Sequence, residues 1–203
     1  MKATLRTATA ALIAAAMAVG CTGPSARMKT DDEGTLVDVH KGGTETYKEL
    51  IRKGVTQLLE EHRLTLAGGA ERPLVAFVGV ENRSSEELGE FKPAMNNEIT
   101  TALVNSRYYQ MISMRAVDAA RRESNLRDVA DLSVGRPREA FLAVLNKDGH
   151  PPQYLLFGEC TTMSSSGIGE RERTYQLTLQ MMDSSSGIVQ TQKLVEVRKA
   201  YNE

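Results

Sequence analysis

Few side chains in this 203-residue chain could do covalent or acid–base chemistry, and their spacing excludes most of it. Its three histidines, His40, His62 and His150, share no metal-ligand spacing with one another or with Cys160. A serine nucleophile needs a setting such as the G-x-S-x-G elbow or the S-x-x-K of penicillin-recognising enzymes, and neither occurs. The clusters Ser164-Ser165-Ser166 and Ser184-Ser185-Ser186 read as a flexible loop and a hairpin turn, with no histidine near them in sequence. "GIGERE" at 167–172 begins like a dinucleotide fingerprint but lacks its last glycine and the strand–turn–helix around it. The acid pairs Glu60-Glu61 and Glu86-Glu87 read as solvated surface rather than as acid–base couples. Cys160, inside the apolar run "YLLFGECTTM", reads as a buried small hydrophobe. The expectation is a protein that is not an enzyme and holds no metal and no cofactor. The remaining reactive candidate is Cys21.

The residues before Cys21 decide its chemistry. Lys2 and Arg6 are the only charges of the first twenty residues, and a run rich in Ala, Leu, Ile, Met and Val extends from Ala8 to Val19. That is a secretory signal by charge and length, too short to span a membrane comfortably. The small residues run straight into cysteine, and Ala18-Val19-Gly20-Cys21 resembles the lipobox of bacterial lipoproteins. The resemblance implies that the Cys21 sulfur carries diacylglycerol, that residues 1–20 are removed, and that the new amino terminus is acylated. A lipid at about 0.8 kcal/mol per buried CH₂ anchors stably once a second chain is present. With Thr22 rather than Asp after the cysteine, the expected place is the outer membrane, facing the periplasm. A lipidated Cys21 leaves Cys160 without a disulfide partner. The net charge of −1, made more negative by loss of Lys2 and Arg6, offers nothing to nucleic acid.

Three segments follow: the signal 1–20, a lipidated flexible tether 21–43, and a folded domain 44–203. The tether is polar and broken by Pro and Gly, with an extended piece at Leu36 to Val39. Stretched at about 3.3–3.6 Å per residue, it reaches roughly 75 Å. In "TETYKELIRKGVTQLLEEHRL", Tyr47, Leu50, Ile51, Val55, Leu58 and Leu59 form one helical stripe, Thr46 with Glu49 makes a capping box, and Gly54 admits a close neighbour. "LVAFVGVEN" is a strand buried on both faces, and "NRSSEELGE" is a polar loop. A helix from Pro93 buries Met95, Ile99 and Leu103, and a short strand "YYQMI" follows. Ser113 caps a helix with a basic face, and a further helix from Pro137 turns Phe141, Val144 and Leu145 inward before Gly149. The last third is strand-like: "QYLLFGECTTM", then "RTYQLTLQMMD" with strict alternation, then "IVQTQKLVEVRK" after a tight "DSSSG" turn. The fold class is α/β, a single domain with a mixed sheet, flanking helices and an antiparallel C-terminal hairpin.

The stretches "LVAFVGVENRSSEEL", "MNNEITTALVNSRYYQMISMRAVDAAR" and "PQYLLFGECTTM…YQLTLQMMDSSSGIVQTQK" together resemble the LpoB family, outer-membrane lipoprotein activators of penicillin-binding proteins. The resemblance implies a TolB-N-terminal-like domain and a non-catalytic role: binding a bifunctional penicillin-binding protein and stimulating peptidoglycan synthesis. The docking surface expected on that reading is the loop Asn82-Arg83-Ser84 with the basic helix face of Arg115, Arg121 and Arg122. The alternative is a CsgG/TolB-related lipoprotein subunit of an envelope assembly or secretion complex, which a discrete ring-sized oligomer in solution would reveal.

Overall fold

The structure, a computed structural model, describes residues 26–29, 44–66, 72–89, 91–147, 149, 151–167 and 170–202. Cys21, the apolar run before it, the piece at Leu36 to Val39, His40 and His150 lie outside the described residues. The elements are β1 (Ala26–Lys29), α1 (Thr44–Thr65), β2 (Leu74–Asn82), α2 (Phe91–Ser106), β3 (Gln110–Met111), α3 (Met114–Glu123), a 3₁₀ turn (Val129–Ser133), α4 (Gly135–Lys147), β4 (Tyr154–Gly167), β5 (Glu170–Asp183) and β6 (Val189–Asn202). They build a six-stranded mixed sheet in the order β1-β6-β5-β4-β2-β3. β2 is parallel to β3 and β4, while β4, β5 and β6 form an antiparallel meander.

The two burial patterns of the strands set the layers. β2 alternates between two cores: Val75, Phe77 and Val80 face α1 and α2, while Ala76 and Val78 face α3, the 3₁₀ turn and α4. A strand apolar on both sides needs a cover on both sides, and β2 and β4 have it. β5 and β6 carry one apolar face, Tyr175, Leu177, Leu179, Met181, Val195 and Val197, which packs under α1. Their other face is polar, where Gln176 Nε2 donates to Glu196 at 2.5 Å and Gln180 Nε2 to Gln192 at 2.8 Å. Gly54 lets α1 settle on this half of the sheet, since a Cβ there would lie 3.1 Å from Val195 Cγ2 and 3.3 Å from Leu179 Cδ1.

Several local expectations change. Within the stretch read as a tether, Ala26–Lys29 is a strand antiparallel to β6, in register Ala26↔Tyr201 to Lys29↔Arg198. A last strand with an open edge presents unpaired backbone groups, and four residues of extended chain satisfy part of it. The serines Ser164 to Ser166 are not a loop, because the β4–β5 pairing runs to Gly167↔Glu170. Thr46 does not cap α1. The helix starts at Thr44, so Thr46 lies inside the first turn with its hydroxyl buried and without a partner among the described residues. Glu49 bonds instead to Arg52 and Lys53, at 3.0 and 3.1 Å. By contrast Ser113 does cap α3, its Oγ accepting from Ala116 N at 3.3 Å.

His62, in the last turn of α1, is fully buried. Its Nδ1 lies 2.7 Å from Tyr109 Oη, its ring meets Tyr154 edge-on at 4.5 Å, and Nε2 has no partner among the described residues. Burial holds its pKa below the ordinary 6.5. Below that pH the unfolded chain takes up a proton that the folded one refuses, so stability falls with falling pH. The loss should show between pH 6.5 and about 5, before the carboxylates titrate. Urea unfolding across that window measures it, and His62→Gln should lessen it.

Candidate docking surface

The loop after β2 is built by its own side chains. Asn82 Oδ1 accepts from the Ser84 amide at 3.0 Å and from Ser84 Oγ at 2.6 Å, while Asn82 Nδ2 donates to the Glu86 carbonyl at 2.7 Å. An Asx turn of this kind spends both residues on shaping the backbone. Arg83 points the other way. Its amide donates to the Cys160 carbonyl at 2.8 Å, and its guanidinium pairs with Asp128 across the surface. Asp128 also accepts from Ala130 N at 2.9 Å as the cap of the 3₁₀ turn, and these two partners hold its pKa below the usual carboxylate range, the backbone bond first.

The predicted basic face of α3 divides in two. Arg121 turns inward, its Nη1 donating to Val78 O at 2.9 Å and its Nη2 to Glu81 at 3.1 Å. The β2–β4 ladder shifts register between Phe77 and Gly79, and a bulge of that kind disrupts the local backbone ladder. Arg121 reaches the Val78 carbonyl there and thereby fastens α3 to the strand. It is a positioning residue. Arg115 and Arg122 remain exposed. Arg122 and Arg127 line, with Asp118 and Arg121, a shallow concavity of about 410 Å³ beside Asn125 and Leu126. The structure therefore brings Arg83, Arg121, Arg122 and Arg127 to one end of β2 and α3, with Asp128 and Glu81 between them. Asn82 and Ser84 stand beneath as scaffold.

Sequence reasoning missed Arg127, because it follows α3 in a turn with no period to place it. It also misread Glu86, taken with Glu87 as solvated. The Glu86 side chain is 10% exposed and accepts from Arg173 and, at 3.1 Å, from Tyr175 Oη. Ser85 N donates to Thr162 Oγ1 at 3.2 Å, and Leu88 is buried, so the loop is sewn over β4 and β5. Below it lies Cys160, buried, whose thiol is pushed up to about 11 by burial first and the Glu86 carboxylate second. A thiol protonated at neutral pH is a poor nucleophile. No three His, Cys, Asp or Glu side chains among the described residues are grouped to hold a metal, and no described helix is long and apolar enough to cross a membrane.

This surface has arginines, a loop held in one shape and no nucleophile–base pair. The family model described as "Peptidoglycan-synthase activator LpoB" matches residues 46–193. The LpoB C-terminal domain from Salmonella enterica is 16% identical at a TM-score of 0.50, with 72% of this chain and 96% of that one covered. The Escherichia coli LpoB C-terminal domain is 15% identical at 0.49, covering 74% and 96%. Lipoprotein GNA1162 from Neisseria meningitidis is 18% identical at 0.45, covering 62% and 82%. The curated proteins contain no match. The mixed α/β fold is thus that of the LpoB C-terminal domains, and the matched span runs from the first turn of α1 to the start of β6. This chain belongs to the LpoB family of peptidoglycan-synthase activators.

Proposed function

We propose that the mature protein is a lipoprotein held in the outer membrane through Cys21, and that it binds a bifunctional penicillin-binding protein in the periplasm and stimulates its synthesis of peptidoglycan without catalysing any step itself. The family match over residues 46–193 carries this reading. The partner is met by Arg83, Arg115, Arg122 and Arg127, with Asn82 and Ser84 holding the loop and Arg121 holding α3. The Arg83–Asp128 pair has side chains 46% and 34% exposed. A surface pair of this kind contributes about 0–1 kcal/mol, so a carboxylate on the partner can displace Asp128 at little cost. Activation then follows from differential binding: the lipoprotein raises the population of whichever synthase conformation it binds more tightly.

The test uses the full-length chain in detergent with a purified bifunctional synthase. Capture of the synthase and a faster glycan polymerisation are expected, and Arg83→Ala with Arg122→Ala should weaken capture roughly tenfold. Absence of both capture and stimulation would sink the reading.

A further inference from the structure

The pole of the sheet opposite that docking loop holds a second basic feature. A cleft of about 1020 Å³ opens between the ends of α1 and α2, the starts of β2 and β4, and the β5–β6 turn. Arg63, Arg72 and Arg107 line it together with the rings of Tyr108 and Tyr154. None of the three guanidinium groups has a carboxylate partner among the described residues. Arg63 Nη1 donates to Tyr108 Oη at 2.5 Å, its guanidinium 4.9 Å from that ring's centroid. Asp183 is the one acid among the described lining residues, and its carboxylate is already committed. It accepts from the Ser185 hydroxyl at 2.7 Å and from the Ser186 amide and hydroxyl, both at 2.8 Å.

Helix dipoles account for part of this charge. The C-terminal ends of α1 and α2 favour cations, which suits Arg63 in the last turn of α1 and Arg107 just past the end of α2. Arg72 sits at the end of no helix, so the dipoles do not explain it. Arg107 also carries φ 60 just past α2, where Gly or Asn is the usual residue, so an arginine there costs backbone energy. Three guanidinium forks with tyrosine rings between them suit carboxylates borne on a sugar or peptide framework: the forks bind the acid and the rings stack on the framework.

Position decides the source of those carboxylates. β1 begins at Ala26 opposite Tyr201, at the far end of β6, while the cleft lies by the turn where β6 starts. The 14 residues of β6 span roughly 40 Å. With Cys21 in the membrane and only residues 22–25 before β1, the cleft faces away from the lipid surface; this step rests on the anchoring proposed above. We propose that the cleft binds an anionic, carboxylate-bearing glycan–peptide polymer of the cell-wall kind, while the opposite pole meets the synthase.

The experiment is cosedimentation of the full-length chain, in detergent, with insoluble peptidoglycan. Arg72→Gln with Arg107→Gln should bind roughly tenfold more weakly at about 0.15 M salt. Arg115→Gln with Arg122→Gln should bind as the unaltered chain does. Soluble peptide-bearing muropeptides should compete, and glycerol phosphate at equal concentration should not. No sedimentation of the unaltered chain overturns the proposal, as does unchanged binding by the cleft variant with its melting temperature intact. Equal competition by glycerol phosphate overturns it in favour of a phosphate headgroup site. The cleft variant should still stimulate the synthase, so failure here and failure of the activator reading are separate results. If the double variant melts early, the single Arg72→Gln, which breaks no described contact, gives the same reading at roughly half the loss.

Discussion

Gly187→Ala should destabilise the domain by about 3 kcal/mol, although it adds one methyl group in a surface turn. Two independent costs combine. Gly187 has φ +73, which an alanine occupies at a cost of about 1 kcal/mol. The new Cβ would also lie 2.0 Å from Arg138 Nη1 and 2.4 Å from its Cζ. Arg138, on α4, is only 8% exposed and donates to the Leu132 carbonyl at 3.1 Å. Its guanidinium can occupy the space beside residue 187 because nothing projects there. Displacing a hydrogen-bonded, buried cation costs about 1.5–3 kcal/mol more. For a domain of this size the melting temperature should fall by about 6–12 °C. A double-mutant cycle separates the two costs. In the Arg138→Met background, Gly187→Ala should cost only about 1 kcal/mol. An equal loss in both backgrounds would show that the clash with Arg138 is not the cause.

The second large effect distinguishes two neighbouring acids. Glu86→Ala should cost about 2 kcal/mol, whereas Glu87→Ala should change stability by less than about 0.5 kcal/mol. Glu86 lies under the loop and accepts from Arg173 and Tyr175, and the Tyr175 ring is wholly buried against Tyr47 at 6.0 Å. Because Arg173 is 31% exposed, solvent screening keeps the figure below that of a fully buried ion pair. Glu87 is exposed. Urea denaturation gives both numbers. The Cys160 thiol, wholly buried beneath the loop, supplies a second signal, since a reagent reaches it only when the loop that Glu86 clasps opens. Alkylation of Cys160 at pH 8 should therefore quicken in Glu86→Ala and stay slow in Glu87→Ala. Loss of the Glu86 clasp should also weaken synthase capture on the proposed surface, because Asn82, Arg83 and Ser84 ride on that loop.

The fold was legible wherever burial is written as a period. The α1 stripe from Tyr47 to Leu59, the two-faced "LVAFVGVEN" and the alternation from Thr174 to Met181 each name their own partners by pattern. The antiparallel meander follows from those strands and the short "DSSSG" turn. β1 was not legible: "ARMK" alternates over only four residues, too few to mark a strand, and what makes it one is the open edge of β6 far along the chain. The serines at 164–166 show the same limit. Composition suggests a loop, but ten residues of pairing before them, Tyr154 to Met163, extend the β4–β5 ladder through them.

The candidate docking surface was legible only as a list of residue types. Sequence by itself determined that the chain carries a lipobox-like cysteine at 21, no recognisable catalytic motif, a mixed α/β pattern, a polar loop at Asn82-Arg83-Ser84 and a helix with a basic face. Tertiary structure decided which of those charges are spent and which are offered. Arg121 is turned inward by a β2 bulge that no local pattern announces, and Glu86 is drawn under its loop by Arg173 and Tyr175 from β5. Arg63, Arg72 and Arg107, far apart in sequence, converge on one cleft because α1 and α2 end and β2 begins at that pole. A period in sequence encodes burial against whatever lies alongside, but the pairing of a long polar side chain depends on residues that only the packed sheet brings within reach.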